Sequence, residues 1–172
     1  MKRREIQLSA LKGKIIDVWN EWFLLTAGDF AERKYNAMTV SWGSMGVIWD
    51  KPFVQVVVRP TRHTHGFMEK YDTFTLCAFP QEDRFRKALG MLGSLSGRDG
   101  DKIGKSGLTP AASVRVAAPS YEEAILAIEC RKMYFDDLEP DHFLAPFIAG
   151  NYHNDYHRCY FGEIIALSAV SS

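Results

Sequence analysis

Between residues 53 and 59 the chain reads FVQVVVR, and Val54, Val56 and Val58 fall on one side of an extended segment. Pro60 follows, and with no N–H to offer a ladder it marks the end of that strand. Residues 35–42 alternate in part and also predict a strand. Gly43 to Gly46 then breaks the pattern, and Val47-Ile48-Trp49 resumes it before a turn at Asp50-Lys51-Pro52. Residues 22–26 are apolar and close on the turn signal Ala27-Gly28-Asp29. Further strands are expected over 74–79, stopped by Pro80, over 125–135 and over 160–170. The 125–135 run is assigned by elimination, since Ile128, Cys130, Lys132 and Tyr134 cannot all be core positions of one helix.

Helical spacing is confined to two stretches. Residues 82–95 bring Phe85, Leu89 and Leu92 onto one face, and residues 64–71 predict a shorter helix. Residues 96–107 are polar and contain four glycines, and predict a loop. The opening, to about Leu11, reads as a leader that packs late or pairs with a partner. No repeat, low-complexity stretch or linker divides the chain, so one domain is expected over 1–172. Many short strands with near-regular turns predict a mainly β, antiparallel barrel.

Composition narrows the function classes. With 47% hydrophobic and 13% aromatic residues in 172, the chain has enough apolar side chains for a substantial core. The 21 basic and 21 acidic residues cancel, which argues against a nucleic-acid partner. The basic tip Lys2-Arg3-Arg4 reads as solvated, and Glu5, Gln7 and Ser9 interrupt any signal-peptide core behind it. No apolar run approaches a membrane span. Cys77, Cys130 and Cys159 are widely spaced and form no CxxC pair, as expected of reduced core thiols in a cytoplasmic protein.

The densest candidate chemistry follows Pro60. Thr61, Arg62, His63, Thr64 and His65 crowd donor-bearing side chains into one turn, which suits a dianionic phosphate and equally suits a solvated, mildly basic turn. Thr64 also opens a predicted helix, whose first N–H groups are unpaired and attract anions. His153 and His157 stand four apart beside Asp155 and Cys159, the spacing of a metal or haem ligand set on a helix. Here, however, the segment leads into a strand, where such positions lie far apart. Asp136, Asp137, Glu139 and Asp141 read as a solvated acidic turn. There is no glycine-rich dinucleotide fingerprint, no GxSxG and no triad spacing.

Taken in order, Asn36-x-Met38-Thr39, Ser41-Trp42-Gly43, Pro52, Val58-Arg59-Pro60-Thr61-Arg62-x-Thr64, Ser96-Gly97-Arg98-Asp99-x-Asp101-Lys102 and Gly162-Glu163-Ile164 form a set. Through it the chain resembles the flavin reductase-like, FMN-binding split-barrel family, in its flavoredoxin-type branch, over roughly residues 10–168. The resemblance implies a six-stranded antiparallel Greek-key split barrel with a few short flanking helices, acting as a homodimer with FMN in a groove where two subunits meet. It implies an oxidoreductase that takes a hydride from NADH or NADPH onto FMN and passes electrons to a further acceptor, a small molecule or a protein. The alternative is an FMN-binding electron carrier with no NAD(P)H activity of its own.

The same resemblance distributes roles. Arg59, Thr61, Arg62, His63 and Thr64 are expected at the phosphate, with Ser96 and Lys102 from the later loop near the flavin or its phosphate. Lys102 sits in Asp101-Lys102-Ile103, where similar chains carry Asp-Lys-Phe. Asn36, Met38, Thr39 and Ser41 are expected to line the ring with backbone N–H groups, and small Ala37, Ser41 and Gly43 let a flat ring approach. Trp42 either packs beside the isoalloxazine or is an ordinary core tryptophan. His157 is expected on the nicotinamide side of the flavin as the one catalytic candidate. No metal is expected.

Overall fold

The computed structural model describes residues 19–170. Strands β1 (Phe23–Asp29) and β2 (Lys34–Val40) form one hairpin, and β3 (Gly43–Ile48) and β4 (Lys51–Val58) a second. Helix α1 (His63–Lys70) leads to β5 (Thr73–Ala78), and α2 (Asp83–Ser94) is followed by a single turn of helix, α3 (Lys102–Ser106). A two-residue pair, β6 (Pro110–Ala111) and β7 (Ser120–Tyr121), precedes the long strands β8 (Leu126–Asp137) and β9 (Arg158–Ala169). Between β8 and β9 the chain makes two 3-10 turns, Pro140–His142 and Ala149–Asn151.

The main sheet runs β2-β1-β5-β8-β9-β4-β3, with every pair antiparallel. Its outermost strands, β2 and β3, are consecutive in sequence, separated only by Ser41 and Trp42. Three Cα steps span at most about 11 Å. The sheet must therefore curl until its two edges nearly meet, giving a barrel split along one seam.

Alternation fills the interior. Val54, Val56 and Val58 of β4 are buried against Phe23, Leu25, Met38, Phe74, Leu76, Ile128 and Tyr160. A second cluster lies outside the barrel wall, where Leu24, Ala37, Cys77 and Ala127 meet Phe85, Leu89 and Leu92 of α2 and Ile103 of α3. Burial of each such leucine contributes about 2 kcal/mol. Cys77, Cys130 and Cys159 are all buried and unpaired, and burial pushes the Cys77 thiol up to about 12. No helix among the described residues is long and apolar enough to cross a membrane.

The elements depart from the sequence expectations in five places. The main sheet has seven strands rather than six. Gly43 to Gly46 does not interrupt the chain but opens β3, pairing with β4 from Gly43↔Val56 onward. Ala27-Gly28-Asp29 is strand, not turn: Gly28 takes φ +133°, and a side chain there would meet the Lys34 carbonyl at 2.3 Å. The β3–β4 turn falls at Trp49 and Asp50, both with positive φ (50° and 57°), because Ile48 pairs with Lys51 and leaves a two-residue connection. Part of the 96–107 loop is helical, since the Asp101 carboxylate accepts the Gly104 N–H at 2.8 Å and caps α3. The opening segment to Leu11 lies outside the described residues.

Candidate functional site

β2 has a free edge. Among the described residues its outward backbone groups carry no ladder bond beyond β1, and they face the seam. A groove of about 330 Å³ opens there, lined by Met38 to Trp42, by Val57 and Arg59 of the neighbouring wall, by Thr61 and Arg62, and by His157. A smaller pocket of about 120 Å³ adjoins it, sharing Met38, Thr61 and Arg62 and adding His63, Thr64, Ser94, Leu95, Ser96, Arg98 and Lys102. The fold thus gathers residues from four separated stretches of sequence around one continuous depression.

In the smaller pocket, Thr64 is buried in the first turn of α1, a helix that no side chain caps. Its hydroxyl accepts the Asn36 amide at 2.7 Å, which leaves the hydroxyl proton available to a ligand. Asn36 lies behind Thr64 and packs so closely on the 96–98 loop that a side chain at Gly97 would meet its carboxamide oxygen at 2.1 Å. One Arg62 nitrogen donates to the Gly93 carbonyl, at the end of α2. Burial and the nearby Arg59 charge lower the Arg62 pKa. The positive field reaches His63, whose pKa is lowered by burial and then by Arg98 and Lys102.

In the larger groove, His157 is buried, and its Nδ1 lies 3.0 Å from the Tyr152 hydroxyl. Its ring sits 5.4 Å from those of Trp42 and Tyr152. Burial, reinforced by Arg59, lowers its pKa to about 4, so the imidazole is neutral near pH 7. Trp42 is 48% exposed at the groove's rim, so it is not an ordinary core tryptophan.

Several expected residues hold unexpected posts. Arg59 lines the groove as a fixed wall, not as a free donor. It binds the Asp155 carboxylate at 2.6 Å and the Asn151 carbonyl at 2.7 Å, and it covers the Tyr152 ring at 5.1 Å. The His153 N–H and then Arg59 hold the Asp155 carboxyl down at about 2. Lys102 is buried beneath α2, where its ammonium donates to the Leu92 and Leu95 carbonyls at 2.9 and 3.0 Å and satisfies the helix C-terminus. Burial, and then Arg62, lowers its pKa to about 8. The Thr39 hydroxyl donates to the Leu89 carbonyl at 2.5 Å, which leaves only its backbone for the groove. Gly43 lines neither cavity. It is glycine because the Trp19 ring occupies the place of a side chain, 2.3 Å from where Cβ would stand.

Asp155 is spent on Arg59, and among the described residues no group of three or more His, Cys, Asp and Glu could hold a metal. Tyr152, Asn151 and Arg98 belong to the site without having been singled out from the sequence. Arg98 stood within a quoted motif, whereas nothing in the spacing of Tyr152 or Asn151 marked them.

The fold is an antiparallel split barrel with a groove at its seam, and sequence comparison identifies its class. The flavin reductase like domain matches residues 20–169, and the chain belongs to that family. Solved structures share the fold. Flavoredoxin of Desulfovibrio vulgaris (Miyazaki F) is 22% identical, with a TM-score of 0.66 over 87% of this chain and 69% of its own. An FMN-binding protein from Thermus thermophilus is 21% identical, with a TM-score of 0.64 over 98% of this chain and 80% of its own. The NADH:FAD oxidoreductase SgcE6 of Streptomyces globisporus C-1027 is 17% identical, with a TM-score of 0.64 over 87% and 75%. Membership in the family carries a flavin-related redox role.

Proposed function

We propose that the chain is an FMN-binding oxidoreductase of flavin reductase type, cytoplasmic and homodimeric. The carrying observation is the joined pair of cavities: a cationic, hydroxyl-bearing pocket opening directly into a groove walled by unpaired strand-edge backbone. FMN has the same two halves, a dianionic phosphate and a flat ring with polar edges. When bound, FMN would supply the chemistry, taking a hydride from NADH or NADPH and passing electrons onward.

The chain's own residues bind and orient. Thr61, Arg62, His63, Thr64 and Ser96 would hold the phosphate, assisted by the first N–H groups of α1, at His63 and Thr64. Lys102 acts on it at one remove, by fixing the end of α2 and contributing charge. The backbone from Met38 to Ser41, which lines the groove, would face the ring, and Asn36 positions Thr64. Trp42 and His157 bound the side open to the nicotinamide. His157, neutral and hydrogen-bonded to Tyr152, shapes and dries that side without carrying a proton at pH 7. Arg59, through Asp155 and Asn151, pins the 151–157 segment that carries His157. The outer face of β4, β8 and β9 supports the dimer reading: Trp49, Tyr134, Phe161 and Phe53 form a chain of ring contacts at 6.1, 5.8 and 5.6 Å that no helix among the described residues covers.

Calorimetric titration with FMN and riboflavin tests the binding half of this reading. One FMN per subunit, bound more tightly than riboflavin, is the expected result. No flavin binding by either compound contradicts it.

A further inference from the structure

Tyr152 does not line the groove itself; it reaches it through His157, and its surroundings fix that one contact. Its ring stacks on Phe143 at 5.7 Å and 17°, and meets Tyr156 at 5.1 Å. The Arg59 guanidinium, itself held by Asp155 and Asn151, stands over the same ring at 5.1 Å. Among the described residues the Tyr152 hydroxyl has a single hydrogen-bond partner, His157 Nδ1 at 3.0 Å. Burial raises the Tyr152 pKa, so the hydroxyl keeps its proton at neutral pH.

A neutral imidazole still has one N–H, on either nitrogen, and the partner of one nitrogen decides which. The contact at Nδ1 admits either side as donor, and two facts decide between them. A phenol is a stronger acid than a neutral imidazole, whose bare nitrogen is the stronger base, and the Arg59 charge over the ring strengthens the phenol as donor. A hydroxyl that accepted from Nδ1 would also leave its own proton without a partner among the described residues. With Nδ1 turned to Tyr152, Nε2 stands at the other edge of a ring that lines the groove, and no described residue bonds it.

We propose that Tyr152 is a positioning residue for the groove: its hydroxyl, with Arg59 behind it, donates to Nδ1 and holds His157 as the Nε2–H tautomer. The groove then presents one N–H donor on its open side, suited to an acceptor oxygen such as the carboxamide carbonyl of a nicotinamide. The tautomer stands on the contacts alone, whereas its use in hydride transfer rests on the functional reading above.

Imidazole nitrogen–proton correlation spectra of the flavin-free protein at neutral pH test the tautomer, with His157→Gln marking the His157 signals among the five histidines. The expected spectrum has a protonated Nε2 and a bare Nδ1. Tyr152→Phe keeps the stacked ring and removes only the hydroxyl, so the segment stays folded while the two nitrogen shifts approach one another. In the FMN-saturated protein the same variant should raise KM for NADH or NADPH about three- to tenfold, with kcat and FMN affinity within about twofold, as for one hydrogen bond. A protonated Nδ1 in the natural chain, or nitrogen shifts unchanged in Tyr152→Phe, overturns the proposal whatever the kinetics. An unchanged KM overturns the donor's part in nicotinamide binding. The expected tautomer in a protein that neither nicotinamide reduces overturns the functional reading and supports the positioning of His157 by Tyr152.

Discussion

β1 is buried at its first six positions, whereas β3 has none buried. Both strands belong to one curved sheet, and they differ in what covers their outer faces. β1 lies between the barrel interior and α2, so Leu24 and Leu25, pointing in opposite directions, are both inaccessible. Among the described residues no helix packs on the outer faces of β3 and β4, and their hairpin leaves Val47 74% and Trp49 60% exposed. Contiguous apolar surface of this kind on one side of a barrel calls for a second layer, and a two-fold partner presenting the same surface is the one proposed above. The proposed flavin groove lies at the seam where the covered and bare halves meet, so each half bears on the proposed function differently. The covered half fixes the pocket, and the bare half supplies the proposed interface.

That contrast can be broken most severely from the covered side. Leu92→Ala removes a fully buried side chain between α2 and the sheet and should cost about 2–5 kcal/mol in urea unfolding, at any protein concentration. A loss below about 1 kcal/mol would mean that α2 does not seal this half. A second test uses pH. The folded-state pKa of His157 is below that of an unfolded histidine, so the unfolded chain binds the proton first. Stability should therefore be full above about pH 6.5 and fall by up to about 3 kcal/mol as pH drops toward 4. His157→Gln should flatten that slope, and an unchanged slope in the variant would assign the effect elsewhere.

Smaller effects sharpen the division of labour at the seam. Arg62→Ala should weaken FMN about tenfold or more and riboflavin hardly at all, as expected for one charge-assisted contact to phosphate. Arg59→Ala should instead weaken both flavins alike, because Arg59 holds the 151–157 segment. Selective loss of FMN in Arg59→Ala would return the phosphate role to it. The mildest change is Trp49→Ser on the bare side, which should alter subunit stability by under about 0.5 kcal/mol yet shift the sedimentation coefficient toward a single subunit. A species of unchanged size would exclude this face from the interface.

What the sequence revealed follows the same division. Val54, Val56 and Val58 alternate because one side of β4 faces the core, and Leu89 and Leu92 recur because α2 has a sheet beneath it. β3 was misread because neither of its faces is buried, so nothing imposes alternation on Gly43-Ser44-Met45-Gly46. The Trp49–Asp50 turn carries no Asn-Gly signal, and tertiary packing of Trp49 on Tyr134 stands in its place. In the site, the 36–64 stretch was legible because its residues are close in the chain. Arg59 and Asp155 are 96 residues apart, and no local pattern marks such a pair. Lys102 was recognised for its charge, but its direction depends on where α2 ends, which only the fold decides.

The most direct test is anaerobic titration of the FMN-saturated protein with NADH and NADPH, following the oxidised flavin absorbance near its visible maximum. Bleaching much faster than that of free FMN is the predicted result, since the proposed site would leave a bound ring open to the nicotinamide beside Trp42 and His157. Bound flavin that stays yellow with both donors would contradict a reductase and leave an electron carrier reduced by another protein.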